Sequence, residues 1–176
     1  LVLSSGSNNP HFNITSVVKE NPIVAPMFCM LLRKHLTGAR VTSVTQLGFE
    51  RAVEFGFDCF DEMGFRTMKY LVTETMGKYS NVILLNAEKK VVSALKIIDL
   101  AASSVRQILP GFPYELPPTQ RKLCPLTVSE SEFKAALSAS GDMPADKFIA
   151  ANFYGLAAIT SREIALCAAG SSDRLI

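Results

Sequence analysis

An α+β fold, with a β-rich antiparallel domain followed by a small helical one, is predicted by two patterns in this sequence and the break between them. From residue 40 to 98, short runs of alternating apolar and polar residues are separated by turn-like breaks. That is the pattern of adjacent antiparallel strands in a sandwich or meander. Beyond residue 128 the chain reads as helical, with helix-start and helix-stop residues at matching positions. In between, Pro110-Gly111-Phe112-Pro113 and Pro117-Pro118 read as a rigid, extended connector. The boundary is expected near residues 118–126, giving domains at 1–122 and 123–176.

Apolar residues make up 48% of the chain and charged residues 19%, a composition that supports a packed core and argues against disorder. The net charge is +2, well short of the bias that would by itself indicate nucleic acid. Cys29, Cys59, Cys124 and Cys167 form no CxxC pair. They are expected to be buried free thiols in a cytosolic protein rather than metal ligands. His11 and His35 belong to no HExxH motif, and no metal or cofactor is implied. No apolar run reaches membrane-spanning length, and nothing at the start resembles a signal peptide. The chain opens without Met on Leu1-Val2-Leu3-Ser4, which reads as mid-strand, and stops at Ser172-Asp173-Arg174-Leu175-Ile176, just after a helix. The expectation is a fragment, cut from a longer polypeptide at both ends.

In chain order, residues 1–5 are expected to form a strand, residues 6–13 a polar loop, and residues 14–19 an extended segment. Ile23-Val24-Ala25, between Pro22 and Pro26, should also be extended, because residues before proline avoid the α region. Pro26 suits a first helical position. Met27, Phe28, Met30, Leu31, Leu32 and Leu36 predict a largely buried helix. Arg33, Lys34 and His35 complement its carbonyl end, and Gly38 closes it. Strands follow at 40–46 and from Val53, whose face carries Phe55 and Phe57, then at 66–75, 81–86 and 91–98. Residues 103–106 suggest a short helical turn. In the second domain, Ser129 with Glu132 forms a capping box and Pro144 starts a helix reaching Asn152. Thr160 with Glu163 forms another capping box, for a helix that runs to Ala169 and closes at Gly170.

Several residues are candidates for chemistry. Glu50-Arg51, beside Gly48 and between two strands, is either a surface ion pair or a binding device. Asp61 and Glu62 read as a solvated turn, not an acid–base couple. Gly77-Lys78 follows a strand but lacks the GxxxxGK[ST] context of a phosphate loop. Ser103 and Ser104 beside Arg106 can hold a phosphate or simply cap a helix. Free N–H groups at Thr160–Arg162, with the Arg162 charge, would make an anion site; the alternative is an ordinary helical hairpin.

The segments PMFCMLLRKHLTGARV, QLGFERAVEF, ETMGKYSNVILLN, SSVRQILPG and YELPPTQRK, in that order, closely resemble the N-terminal domain of the NFACT family. Bacterial RqcH and eukaryotic NEMF belong to that family, long labelled fibronectin-binding protein A. FIAANFYGLAAITSREIALCAAG resembles the helical hairpin region that follows. The resemblance implies a β-sandwich similar to formamidopyrimidine-DNA glycosylases, followed by a helix–two-turn–helix module. It also implies a cytoplasmic, non-enzymatic factor. Such a factor binds tRNA and the large ribosomal subunit obstructed by peptidyl-tRNA, and supports C-terminal tailing (alanine in bacteria) of stalled chains. Neither the glycosylase N-terminal nucleophile nor zinc-finger cysteines are seen, so no lyase activity is inferred. The family's tRNA-contacting Asp-Arg pair falls on Glu50-Arg51. Here Glu replaces Asp, which keeps the charge and shifts the carboxylate by a methylene. Lys78, Arg106, Thr160 and Arg162 are the further candidate RNA contacts. The family's old label supplies the alternative, a fibronectin-binding surface adhesin.

Overall fold

The computed structural model describes residues 1–18, 20–118, 121–171 and 175. Lys19, at the end of the extended segment expected over 14–19, lies outside the described residues. So do Thr119 and Gln120 in the expected boundary, and most of the tail after Ser171. The chain divides into two compact units, Leu1–Pro117 and Pro118–Ile176.

The first unit is an antiparallel meander. Strands β3 (Arg40–Gln46), β4 (Ala52–Phe60), β5 (Arg66–Glu74), β6 (Asn81–Leu85) and β7 (Val91–Ala94) pair in sequence order as a five-stranded sheet. Strands β1 (Val2–Ser4) and β2 (His11–Asn13) make a separate two-stranded hairpin. Residues 11–13 were expected in a loop; they instead pair as Ser4↔His11, Leu3↔Phe12 and Val2↔Asn13. A three-residue strand is too short to display a period of two. Between β2 and the first helix the chain bends at Ile23–Val24 instead of running straight.

The sheet has two apolar faces, because side chains alternate along each strand. One is formed by Phe55, Leu71, Val82 and Leu84, and helix α1 (Met27–Leu36) lies on it through Phe28, Leu32 and Leu36. The expectation of a largely buried α1 is corrected. Only that stripe is covered, no residue of the helix is fully buried, and Met27 and Met30 are exposed. Pro26 is its N-cap rather than its first helical residue. Gly38, at φ +77°, lets the chain leave the helix left-handed and turn into β3.

The other face is formed by Val72, Ile83, Leu85, Val91 and Ala94, closed by Ile108. The segment after β7 is also fastened to the sheet before it reaches the boundary. The Ile98 and Ile108 amides each donate to the other's carbonyl, and Gly111 and Tyr114 donate to Val91 and Lys89. Residues 103–106 form a bend, with the Ser103 hydroxyl accepting from the Val105 and Arg106 amides, not a helical turn.

The second unit has helices α2 (Glu130–Ala139), α3 (Ala145–Asn152) and α4 (Ala158–Ala169). Ser129 and Glu132 form the expected capping box. Phe133, Phe148 and Phe153 form its aromatic centre, with ring centroids 5.6–6.1 Å apart. The capping box expected at Thr160 is absent. Helix α4 starts at Ala158, Ala157 is its N-cap without a side-chain bond, and Thr160 already lies in the first turn.

Candidate functional site

One end of the meander gathers several of the candidates. Here β3 ends, β4 begins, β5 ends and β6 begins, so the β3–β4 turn (residues 47–51) and the β5–β6 connection (residues 75–80) are neighbours. Glu50 and Arg51 sit in the first of these. The turn is closed by the Leu47 amide donating to Ala52 and the Glu50 amide donating to Leu47, at 2.9 and 3.3 Å. The Gln46 side-chain amide holds the Glu50 carbonyl at 3.0 Å. Thr75 holds the Arg51 carbonyl twice, through its amide at 2.9 Å and its hydroxyl at 3.2 Å.

The backbone of the pair is thus pinned while its side chains are not. Arg51 is exposed and Glu50 half-exposed. Among the described residues, neither charge has an ion-pair partner, and they do not pair with each other. The surface ion pair considered from sequence is not formed.

Beyond Thr75 the chain makes the 3₁₀ turn Gly77–Tyr79, which carries Lys78 into solvent. The Lys78 ammonium lies 4.8 Å from the Tyr79 ring centroid. Ser80 and Asn81 brace this turn from below. The Ser80 hydroxyl accepts from the Met76 amide at 2.8 Å. The Asn81 side chain accepts from the Lys96 amide at 2.9 Å and donates to the Lys96 carbonyl at 2.7 Å.

Arg106 belongs to this end but not to its surface. Its guanidinium is bidentate on Glu74, at 2.6 and 3.1 Å, with side-chain exposures of 10% and 1%. The Tyr114 hydroxyl donates to the same carboxylate at 2.8 Å. Burial, and then the Glu74 carboxylate beside it, pushes the Tyr114 phenol far above its usual range. Arg106 spends its two terminal nitrogens on Glu74 and its Nε is buried, so the guanidinium is turned into the protein and not offered at the surface. There it ties residues 99–106 to the end of β5. Sequence reading missed Glu74 and Tyr114. A signal existed, because Glu74 follows Tyr70 and Val72 in the phase of β5 that faces the core.

Thr160 and Arg162 lie in the second unit. Thr160 is exposed in the first turn of α4, while the Ser161 amide already donates to Ala157. The free N–H groups are therefore those of residues 158–160, which include Thr160 but neither Ser161 nor Arg162. Arg162 lies 3.6 Å from the buried carboxylate of Asp146, which partly offsets its charge. Of the cysteines only Cys59 is buried, and Cys167 is exposed, against the expectation of buried thiols. Among the described residues no cluster of His, Cys, Asp or Glu could hold a metal ion, and no helix is long and apolar enough to cross a membrane.

The family described as NFACT N-terminal and middle domains matches residues 1–175. The chain belongs to the NFACT family. Its relatives include the Rqc2 homolog RqcH of Bacillus subtilis (strain 168), 37% identical over 93% of this chain and 29% of that protein. The archaeal Rqc2 homolog aRqcH of Methanocaldococcus jannaschii is 33% identical over 77% of this chain and 18% of that protein. This NFACT chain thus spans less than a third of the length of these relatives. Among solved structures, the N-terminal part of the fibronectin/fibrinogen-binding protein of Streptococcus suis is 36% identical, with a TM-score of 0.81 over 93% of this chain and 61% of that one. The N-terminal domain of the fibronectin-binding protein PavA of Streptococcus pneumoniae is 29% identical, with a TM-score of 0.82 over 96% and 62%.

Proposed function

We propose that this NFACT chain is the tRNA-binding N-terminal part of a cytoplasmic ribosome-associated quality-control factor of the RqcH type. On this reading it binds tRNA and the large ribosomal subunit obstructed by peptidyl-tRNA, and supports tailing of the stalled chain. The ribosome supplies the peptide-bond chemistry, and this protein is not an enzyme. The glycosylase-like character of the β-rich unit and the helix–two-turn–helix character of α3 and α4 belong to the same proposal.

The observation that carries the reading is Arg51. Its guanidinium is exposed and without an ion-pair partner among the described residues, on a turn whose backbone is pinned by Thr75. A planar, permanently charged fork grips phosphate or stacks on a base, and Glu50 beside it can accept from a base edge. The names of the relatives, Rqc2 homologues, agree with this reading. The test is a tRNA titration of the full-length protein at fixed salt, because such affinities depend steeply on ionic strength. Arg51→Ala is expected to weaken tRNA binding with an unchanged melting temperature, and Glu50→Asp to preserve or strengthen it. Binding of Arg51→Ala at wild-type affinity would overturn the assignment.

The names of the solved neighbours favour a second reading, fibronectin binding. Titrating fibronectin against the same variants separates the two: an effect of Arg51→Ala on fibronectin but not on tRNA selects the second.

A further inference from the structure

We propose that Tyr79 is a base-stacking residue of the RNA interface, with Lys78 as its phosphate-binding neighbour. The inference rests on the tRNA-binding reading of Arg51 and extends that site across the sheet end to the β5–β6 connection. Tyr79 is 66% exposed, yet the residues that follow it, Ser80 and Asn81, are buried. An aromatic ring held in water on a fixed support is what a stacking platform needs, since little order has to be imposed when a base arrives.

The support is well defined. The Tyr79 amide donates to Met76 and the Ser80 amide to Gly77, both at 3.1 Å. Ser80 and Asn81 spend their side chains on the Met76 amide and on the Lys96 backbone. None of these bonds uses the Tyr79 ring. Lys78 lies over the ring at 4.8 Å from its centroid, so an aromatic face and an ammonium are offered together. The Thr75 bonds to the Arg51 carbonyl join this turn to the one carrying Arg51. Single-stranded nucleic acid is bound by this combination, in which cations take the backbone and aromatic faces take the bases. Exposed nucleotides of a tRNA loop fit it, whereas a paired duplex offers no free base face.

The two roles differ in salt dependence, and that difference makes the test. Stacking is uncharged, so removing it lowers affinity without changing the slope of log K against log salt. Removing a phosphate contact lowers the slope by about one. The experiment is a tRNA titration of the full-length protein between low and physiological salt, for wild type and for Tyr79→Phe, Tyr79→Leu, Lys78→Ala and Arg51→Ala, with melting temperatures recorded. Tyr79→Phe is expected to bind within twofold of wild type. Tyr79→Leu should bind at least about fivefold more weakly, with an unchanged slope. Lys78→Ala should show the reduced slope. If Arg51→Ala is impaired while Tyr79→Leu binds as wild type does, or if Tyr79→Leu changes the slope as Lys78→Ala does, the stacking role is wrong and the tRNA reading stands. If Arg51→Ala also binds normally, the tRNA reading itself has failed.

Discussion

Arg106 and Glu74, far apart in sequence, meet as a bidentate pair inside the protein, 2.6 and 3.1 Å between their polar atoms, with the Tyr114 hydroxyl on the same carboxylate. The pair fastens the segment after β7 to the end of β5, where Glu74 pairs with Ala52 and Asn81, the strand residues next to the turns that carry Arg51 and Lys78. It neutralises two charges in a site where either alone would lack solvent.

Breaking this pair from one side should be far more damaging than removing both charges. Arg106→Met leaves a buried carboxylate without its partner, and a loss of about 3–5 kcal/mol is expected in urea melts. The double variant Arg106→Met/Glu74→Gln should recover a large part of that loss. A double-mutant cycle without coupling would contradict a load shared between these residues.

Helix α1 should show a gradient of sensitivity around its circumference. Leu32 packs on Phe55, Leu71, Val82 and Leu84, so Leu32→Ala is expected to cost about 2 kcal/mol. Met27 is exposed, and Met27→Ala should stay within about 0.5 kcal/mol of wild type. Equal effects in urea titrations would mean that the helix face has been misassigned.

Much of this fold was legible because its signals are local. The alternation of Val53, Phe55 and Phe57 gave the phase of β4, and Pro26, Gly38 and the Ser129–Glu132 pair marked helix ends. The failures came where tertiary packing overrode a local pattern. Thr160–Glu163 matched a capping box, but the helix begins at Ala158, so Thr160 lies in its first turn and cannot cap it. Residues 99–109 carry no strand-like alternation, yet Ile108 closes the sheet core. At the candidate site, Glu50-Arg51 could be located from sequence, but the fate of Arg106 could not. Its partner lies at the end of β5, and nothing near Arg106 in sequence points to Glu74.

The β3–β4 pairing brings two side-chain hydroxyls close to Gly56. The register shifts between Val41 and Ser43, and Ser43 then sits opposite Gly56. A Cβ at position 56 would lie 2.3 Å from the Ser43 hydroxyl oxygen and 3.3 Å from that of Thr42. Gly56→Ala forces the Ser43 hydroxyl to turn away and is expected to cost about 1 kcal/mol. Adding Ser43→Ala, which removes the nearest atom, should restore most of it. Failure of the second substitution to help would shift the blame to the backbone or to Thr42, whose hydroxyl donates to the Gly56 carbonyl.

Acidification should weaken the first unit through His35. Partial burial, then Lys69 on β5 and Lys34 on its own helix, hold this imidazole below its ordinary value of 6.5, and Glu62 only partly opposes them. Glu62 stays ionised across the same window, because its hydrogen bond with Lys34 lowers its own pKa. The sign follows from proton uptake. As pH falls through 6.5, the unfolded chain binds a proton that the folded protein still refuses, so stability is present above that pH and lost below it. The loss levels off once the folded imidazole also titrates. His35→Gln removes this contribution, so its stability should depend less on pH between 7.5 and 5.5 than that of wild type. Urea melts at both pH values give the comparison. A wild-type advantage that stays constant or grows on acidification would show that the imidazole is not held neutral by its burial and its two lysines.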